Sequence, residues 1–239
     1  MSLRWLGFFR VALITIAGLV LVCLALLFGP GLLAFVFGEV EEEVAREVLG
    51  AGGRVHLIVG EKLRVVFPEH ELPRGRFLVH SVVLHDSPSI DALLPRLTEL
   101  AELCELDVRG SQLGDPAMEH AGKLSELRSL NLAFTRVTDA GAERIGQLSR
   151  LRWLNLTGSG VGDAGMQTIS QLPKLNHLLV GRTRVTDQGL EHLRGMRSLN
   201  SVDVRGTDVT AAGVAALRKA LPDCRVLADR HIDVQDPAR

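Results

Sequence analysis

From residue 76 onward, apolar residues return at fixed offsets with a period of 24 residues. Units begin at Arg76, Leu100, Leu124, Leu148, Leu172 and Met196, the first degenerate and the last carrying one extra residue. The fourth position holds Val79, Leu103, Leu127, Leu151, Leu175 and Leu199. The seventh holds Val82, Leu106, Leu130, Leu154, Leu178 and Val202, and the ninth Leu84, Val108, Leu132, Leu156, Val180 and Val204. Positions seven and nine are two apart, which predicts a short strand with alternate residues inward. Positions nineteen and twenty-two are three apart, as in Leu190 and Leu193 or Val214 and Leu217, which suits a helix face. Each unit therefore reads strand, turn, helix. None can bury its apolar side alone, so the units must stack.

The polar columns are as regular. Position twelve is a hydroxyl throughout (Ser87, Ser111, Thr135, Ser159, Thr183, Thr207), placed to satisfy buried turn backbone. Position sixteen is Asp91, Asp115, Asp139, Asp163 and Asp187, then Ala211. An Asp just before a helix predicts an N-cap. Position eighteen is Gly141, Gly165, Gly189 and Gly213, where a small residue would let neighbouring helices approach.

The residues Leu127, Leu130, Leu132, Thr135, Val137, Thr138, Asp139 and Gly141, and their equivalents one period on, spell LxxLxLxxTxVTDxG. This pattern resembles the leucine-rich repeat family, in a variant with Thr or Ser where Asn or Cys is usual. The resemblance implies an α/β fold, a right-handed leucine-rich repeat solenoid with parallel strands on the concave face and helices on the convex face. It also implies a protein-binding scaffold rather than a catalyst. With its amino-terminal anchor, the chain resembles bacterial, planctomycete-like surface proteins.

The first 38 residues differ in kind. No charge occurs between Arg10 and Glu39. Residues 6–28 supply the roughly 20 apolar residues that a membrane-crossing helix needs, if Arg10 snorkels. Gly29, Pro30 and Gly31 then predict a break, with residues 32–37 at the interface. Arg4 and Arg10 before the span and Glu39, Glu41, Glu42 and Glu43 after it put the amino terminus in the cytoplasm and the repeats outside. The expectation is a single-pass cell-membrane protein. A cleaved signal peptide, giving a secreted protein, is the alternative, although no small-residue cleavage site is evident before the acidic run.

Residues 39–75 predict a helix over 41–49 ending at Gly50 and a hairpin of 55–59 with 63–67. They read as an amino-terminal cap for the first repeat, or as a small separate module. Repeats then occupy 76–230 and a tail 231–239.

Composition narrows the chemistry. The 239 residues carry 27 Lys and Arg against 28 Asp and Glu, a net charge of −1, so no basic surface advertises nucleic acid. Gly160, Gly162 and Gly165 match GxGxxG, a dinucleotide signature, but Gly165 belongs to the repeating glycine column and a 24-residue unit is short for a dinucleotide-binding crossover. Ser201, His177 and Asp203 suggest a triad. Same-column placement makes His177 and Ser201 neighbours, but sets Asp203 beside Ser201 rather than behind the imidazole. The eight histidines are scattered, and Cys104 and Cys224 lie five strand steps, about 24 Å, apart, too far for a disulfide. The Asp row could attract calcium, but as caps its carboxylates are occupied. The chain is therefore read as a non-enzyme without cofactor, metal or small-molecule substrate.

Positions six and eight face outward from the strands. There Trp153, His177 and Leu179 form a semi-apolar patch with Asn155, flanked by Phe134, Arg152 and Arg182. Central Trp and Arg are common anchors of protein interfaces, so this patch is the candidate site for a protein or peptide partner; plain packing of Trp153 over its neighbours is the other reading. A structural envelope protein that associates with itself is the alternative function.

Overall fold

The computed structural model describes residues 30–67, 72–73, 77–88, 90–229 and 232, with side chains from residue 40 onward. The expected span at 6–28, the choice between anchor and cleaved signal, and most of the tail lie outside the described residues. Among the described residues no helix is long and apolar enough to cross a membrane.

The chain enters through α1 (Pro30–Gly50) and a hairpin of β1 (Arg54–Val59) and β2 (Lys62–Val66). The repeats follow: β3 (Leu78–Val83), α2 (Ile90–Leu97), β4 (Glu105–Asp107), a 3-10 turn (Asp115–Ala117) leading into α3 (Met118–Ala121), β5 (Ser129–Asn131), α4 (Asp139–Ile145), β6 (Trp153–Asn155), α5 (Asp163–Ile169), β7 (His177–Leu179), α6 (Asp187–Leu193), β8 (Ser201–Asp203), α7 (Ala211–Ala220) and β9 (Arg225–Leu227). Among the described residues the strands form one sheet in the order β2-β1-β3-β4-β5-β6-β7-β8-β9. From β3 to β9 every pair is parallel and in register by one period: Leu106 opposite Leu130, Leu130 opposite Leu154, Leu154 opposite Leu178. This α/β repeat with parallel strands and helices matches a leucine-rich repeat solenoid.

The apolar columns make the core. Every residue of positions four, seven and nine is buried, none more than 3 % exposed. In four coils the hydroxyl column is satisfied locally: Ser111, Thr135, Thr183 and Thr207 donate to the carbonyl three residues back, at 2.6–2.7 Å.

The aspartate column corrects the N-cap expectation. Asp139, Asp163 and Asp187 open their own helices, but their carboxylates, like that of Asp115, reach the following coil. Asp115 Oδ1 accepts from Thr138 N (2.7 Å) and Gly141 N (3.1 Å), while Thr138 Oγ1 donates to Oδ2 (2.6 Å). Asp163 repeats the set on Thr186 and Gly189, Asp187 meets Thr210, and Asp139 holds Gly162 N and Gly165 N. Thr138, Thr186 and Thr210 are the N-caps, their hydroxyls accepting from Ala140, Gln188 and Gly213. The free amides of these helix starts are thus shared between their own Thr and the previous coil's Asp. The glycine column follows from this. A Cβ on Gly141 or Gly189 would lie 2.5 Å from the preceding Asp Oδ1.

At the other end, α1 runs unbroken from Pro30, so residues 32–37 are helical and the boundary drawn between 38 and 39 falls inside one helix. Proline suits a first helical turn, where its missing N–H costs nothing. Val44, Ala45 and Val48 are fully buried, and β1 pairs antiparallel with β3, covering the first edge of the parallel sheet. Two polar links fix this junction. Arg96 on α2 meets Glu43 (3.0 Å) and Glu47 (3.3 Å) of α1 and Glu99 (2.7 Å). Glu41, only 3 % exposed, accepts from Val79 N at 2.6 Å. Burial pushes its carboxyl above the ordinary value, more than the Val79 and Ala101 backbone bonds pull it down.

Candidate partner-binding surface

Parallel register sets equivalent outward positions side by side. Ser129, Trp153, His177 and Ser201 form one row, and Asn131, Asn155, Leu179 and Asp203 the next. Trp153, Asn155 and Leu179 are half-buried, and His177 is exposed, as are Arg152, Phe134 and Arg182. The predicted patch residues all reach the surface, but they do not share one depression.

Trp153 borders a groove of about 350 Å³ that opens toward the amino-terminal strands, lined also by Ser129, Asn131, Glu105, Asp107 and His56. His56 reaches it from β1 because antiparallel pairing places His56 opposite Ser81, itself opposite Glu105. Burial lowers the His56 pKa, against the opposing pull of Glu105. Nearby, His85 Nε2 lies 3.1 Å from Asp107 Oδ2. Sequence reading missed His56, since nothing in the chain announces the hairpin's register against β3. Glu105 and Asp107 stood in the outward columns and could have been found there.

Phe134 and Arg182 border a second groove, of about 580 Å³, with Thr157, Arg205, Asp203 and Asp229. Both sit at position eleven of their units, where the backbone is left-handed: Asp86, Gly110, Phe134, Gly158, Arg182 and Gly206 have φ between 52° and 73°. A bulky residue such as Phe is uncommon there.

Much of the outward polar row serves the turn. Asp107, Asn131, Asn155 and Asp203 each accept the backbone N–H two residues on, at 3.0–3.2 Å. The triad geometry is not assembled. His177 Nδ1 meets Ser201 Oγ at 2.8 Å, but Asp203 is turned to Arg205 Nε (2.9 Å) and Nη2 (2.5 Å). Burial alone would raise the Asp203 pKa; the hydrogen bonds and charge of Arg205 outweigh it and hold the carboxyl below its ordinary value. The GxGxxG amides are taken as well, since Gly162 and Gly165 donate to Asp139, so an anion of the chain's own fills the place a phosphate would need. Cys104 and Cys224 are buried and free.

No curated protein matches the chain. Among solved structures, internalin C2 of Listeria monocytogenes is similar at 18 % identity and a TM-score of 0.49, over 66 % of this chain and 77 % of its own. An internalin of the same organism (20 %, TM-score 0.47) is covered over 45 % of its length, and a leucine-rich repeat protein of Leptospira interrogans (20 %, 0.41) over 48 %, by 66 % and 62 % of this chain. A family profile described as a leucine-rich repeat region matches residues 79–236, about two thirds of the sequence. The chain belongs to the leucine-rich repeat family.

Proposed function

We propose that this protein is a membrane-tethered, non-catalytic recognition scaffold that binds a protein or peptide partner on the outward face of its sheet. Leucine-rich repeat proteins generally mediate protein–protein interaction. The observation that carries the finer reading is the placement of Trp153. It stands mid-sheet, half-buried, beside exposed His177 and at the mouth of a groove with acidic walls. A half-buried aromatic side chain near the middle of a sheet face supplies contact area at little entropic cost. Residues 6–28 are the tether in this reading, with the repeats on the extracytoplasmic side.

The experiment is capture of crosslinked partners by the full chain in native membranes, compared with Trp153→Ala and His177→Ala. Loss of a partner with self-association unchanged supports recognition. Loss of contacts between copies alone favours the envelope-forming alternative. Partner capture that is indifferent to both substitutions contradicts the assignment of the surface. Protease added to intact cells tests the side: digestion of the repeats only after the inner membrane is opened contradicts the topology.

A further inference from the structure

We infer that the free edge of β2 is a docking site for an extended acidic segment of another protein, which adds to the sheet as a further strand. This goes beyond the Trp153 groove and does not rest on it. β2 ends the sheet, and among the described residues its strand partner is β1. Lys62, Leu63, Arg64 and Val65 are all exposed. Leu63 is 59 % and Val65 46 % exposed, and Leu78, at 38 %, continues the same row: Leu63 lies opposite Ile58, and Ile58 opposite Leu78. An edge that no other described strand covers, with a row of aliphatic side chains, is a template for strand addition.

The charges choose the occupant. Lys62 and Arg64 lie on the face opposite to Leu63 and Val65, and neither forms an ion pair among the described residues. A second copy of β2 meets like charges in two of its antiparallel registers: that of fullest overlap sets Arg64 against Arg64, and that centred on Leu63 sets Lys62 against Arg64. The register centred on Val65 sets Arg64 against Val66 and leaves Lys62 outside the pairing, without a partner for its charge. Like charges directly opposite destabilise a pair. A strand that alternates apolar with acidic residues meets both faces: its apolar side continues the Leu63 row and its carboxylates face Lys62 and Arg64.

The test uses the full chain in detergent and two labelled peptides, Val-Glu-Val-Glu-Val-Glu and the same sequence with Lys for Glu, with binding read by anisotropy and amide exchange. The Glu peptide is expected to bind and to slow exchange within Lys62–Val66. The double variant Lys62→Glu with Arg64→Glu is expected to bind it about tenfold more weakly and to gain the Lys peptide. Leu63→Asn is expected to weaken binding of the Glu peptide. Equal binding of the two peptides, binding of neither, or protection elsewhere would overturn the proposal. So would a dimer of the peptide-free chain that Leu63→Asn dissociates, since that assigns the edge to a second copy.

Discussion

The ring of Phe134 lies over Gly158 of the next coil, so that a Cβ on Gly158 would meet Phe134 Cδ1 at 2.5 Å. Position eleven alternates side chain and glycine along the repeats: Asp86, Gly110, Phe134, Gly158, Arg182, Gly206. Each side chain covers the glycine that follows; Arg182 Cγ stands 3.1 Å from where a Cβ on Gly206 would be. The stacked turns therefore repeat every two coils in this one column.

Gly158→Ala combines a left-handed alanine, at about 1–2 kcal/mol, with displacement of the ring. Urea denaturation of Gly158→Ala, Phe134→Ala and the double variant is expected to give non-additive losses, coupled by about 0.5–3 kcal/mol. Strict additivity would mean that the ring moves aside freely.

Gly189→Ala is expected to act through Asp163. The new methyl would crowd Asp163 Oδ1 and break its bond to Gly189 N. The loss should be about 1–3 kcal/mol, as for an unsatisfied partly buried acceptor, and clearly smaller in an Asp163→Ala background. Chemical denaturation of the four proteins checks it.

Two carboxyls carry opposite pH signatures. Burial raises the folded pKa of Glu41, so stability falls as pH rises from the ordinary carboxylate value through the folded one, and is level above it. Asp203 is held low by Arg205 despite its burial, so its contribution is present above the ordinary value and is lost as pH falls through the folded one. Stability against pH for Glu41→Gln should lose the first slope, and for Asp203→Asn the second. Unchanged slopes would contradict the assignments.

Burial pushes the thiols of Cys104 and Cys224 up. In a Cys23→Ser background, a thiol reagent at mildly alkaline pH should label neither until the protein unfolds, with labelling rates that follow denaturant. Fast labelling of the native chain would contradict their burial.

The core was legible because burial is written in the period. Leu106, Leu130 and Leu154 occupy one column and one layer. The carboxylates were less so. Asp163 beside a helix start has the local grammar of an N-cap, and only stacking shows that its acceptors serve Thr186 and Gly189. Glu41 looked like a charge flanking a membrane span, and it is buried against Val79 because α1 packs on β3. The patch residues are neighbours in the strand register, yet Trp153 and Phe134 border different grooves, Trp153 from strand β6 and Phe134 from the left-handed turn at position eleven. The alternation at that position was visible in the sequence, but its meaning depends on a backbone angle that no residue pattern states.

Whether each coil is completed by the coil before it is decided by residue-resolved amide exchange on Asp163→Ala. Faster exchange is expected at Thr186 and Gly189, in the following coil, with Gly165 and Met166 of the substituted coil's own helix unchanged. Faster exchange at Gly165 and Met166, with Thr186 and Gly189 still protected, would contradict this interlock between coils.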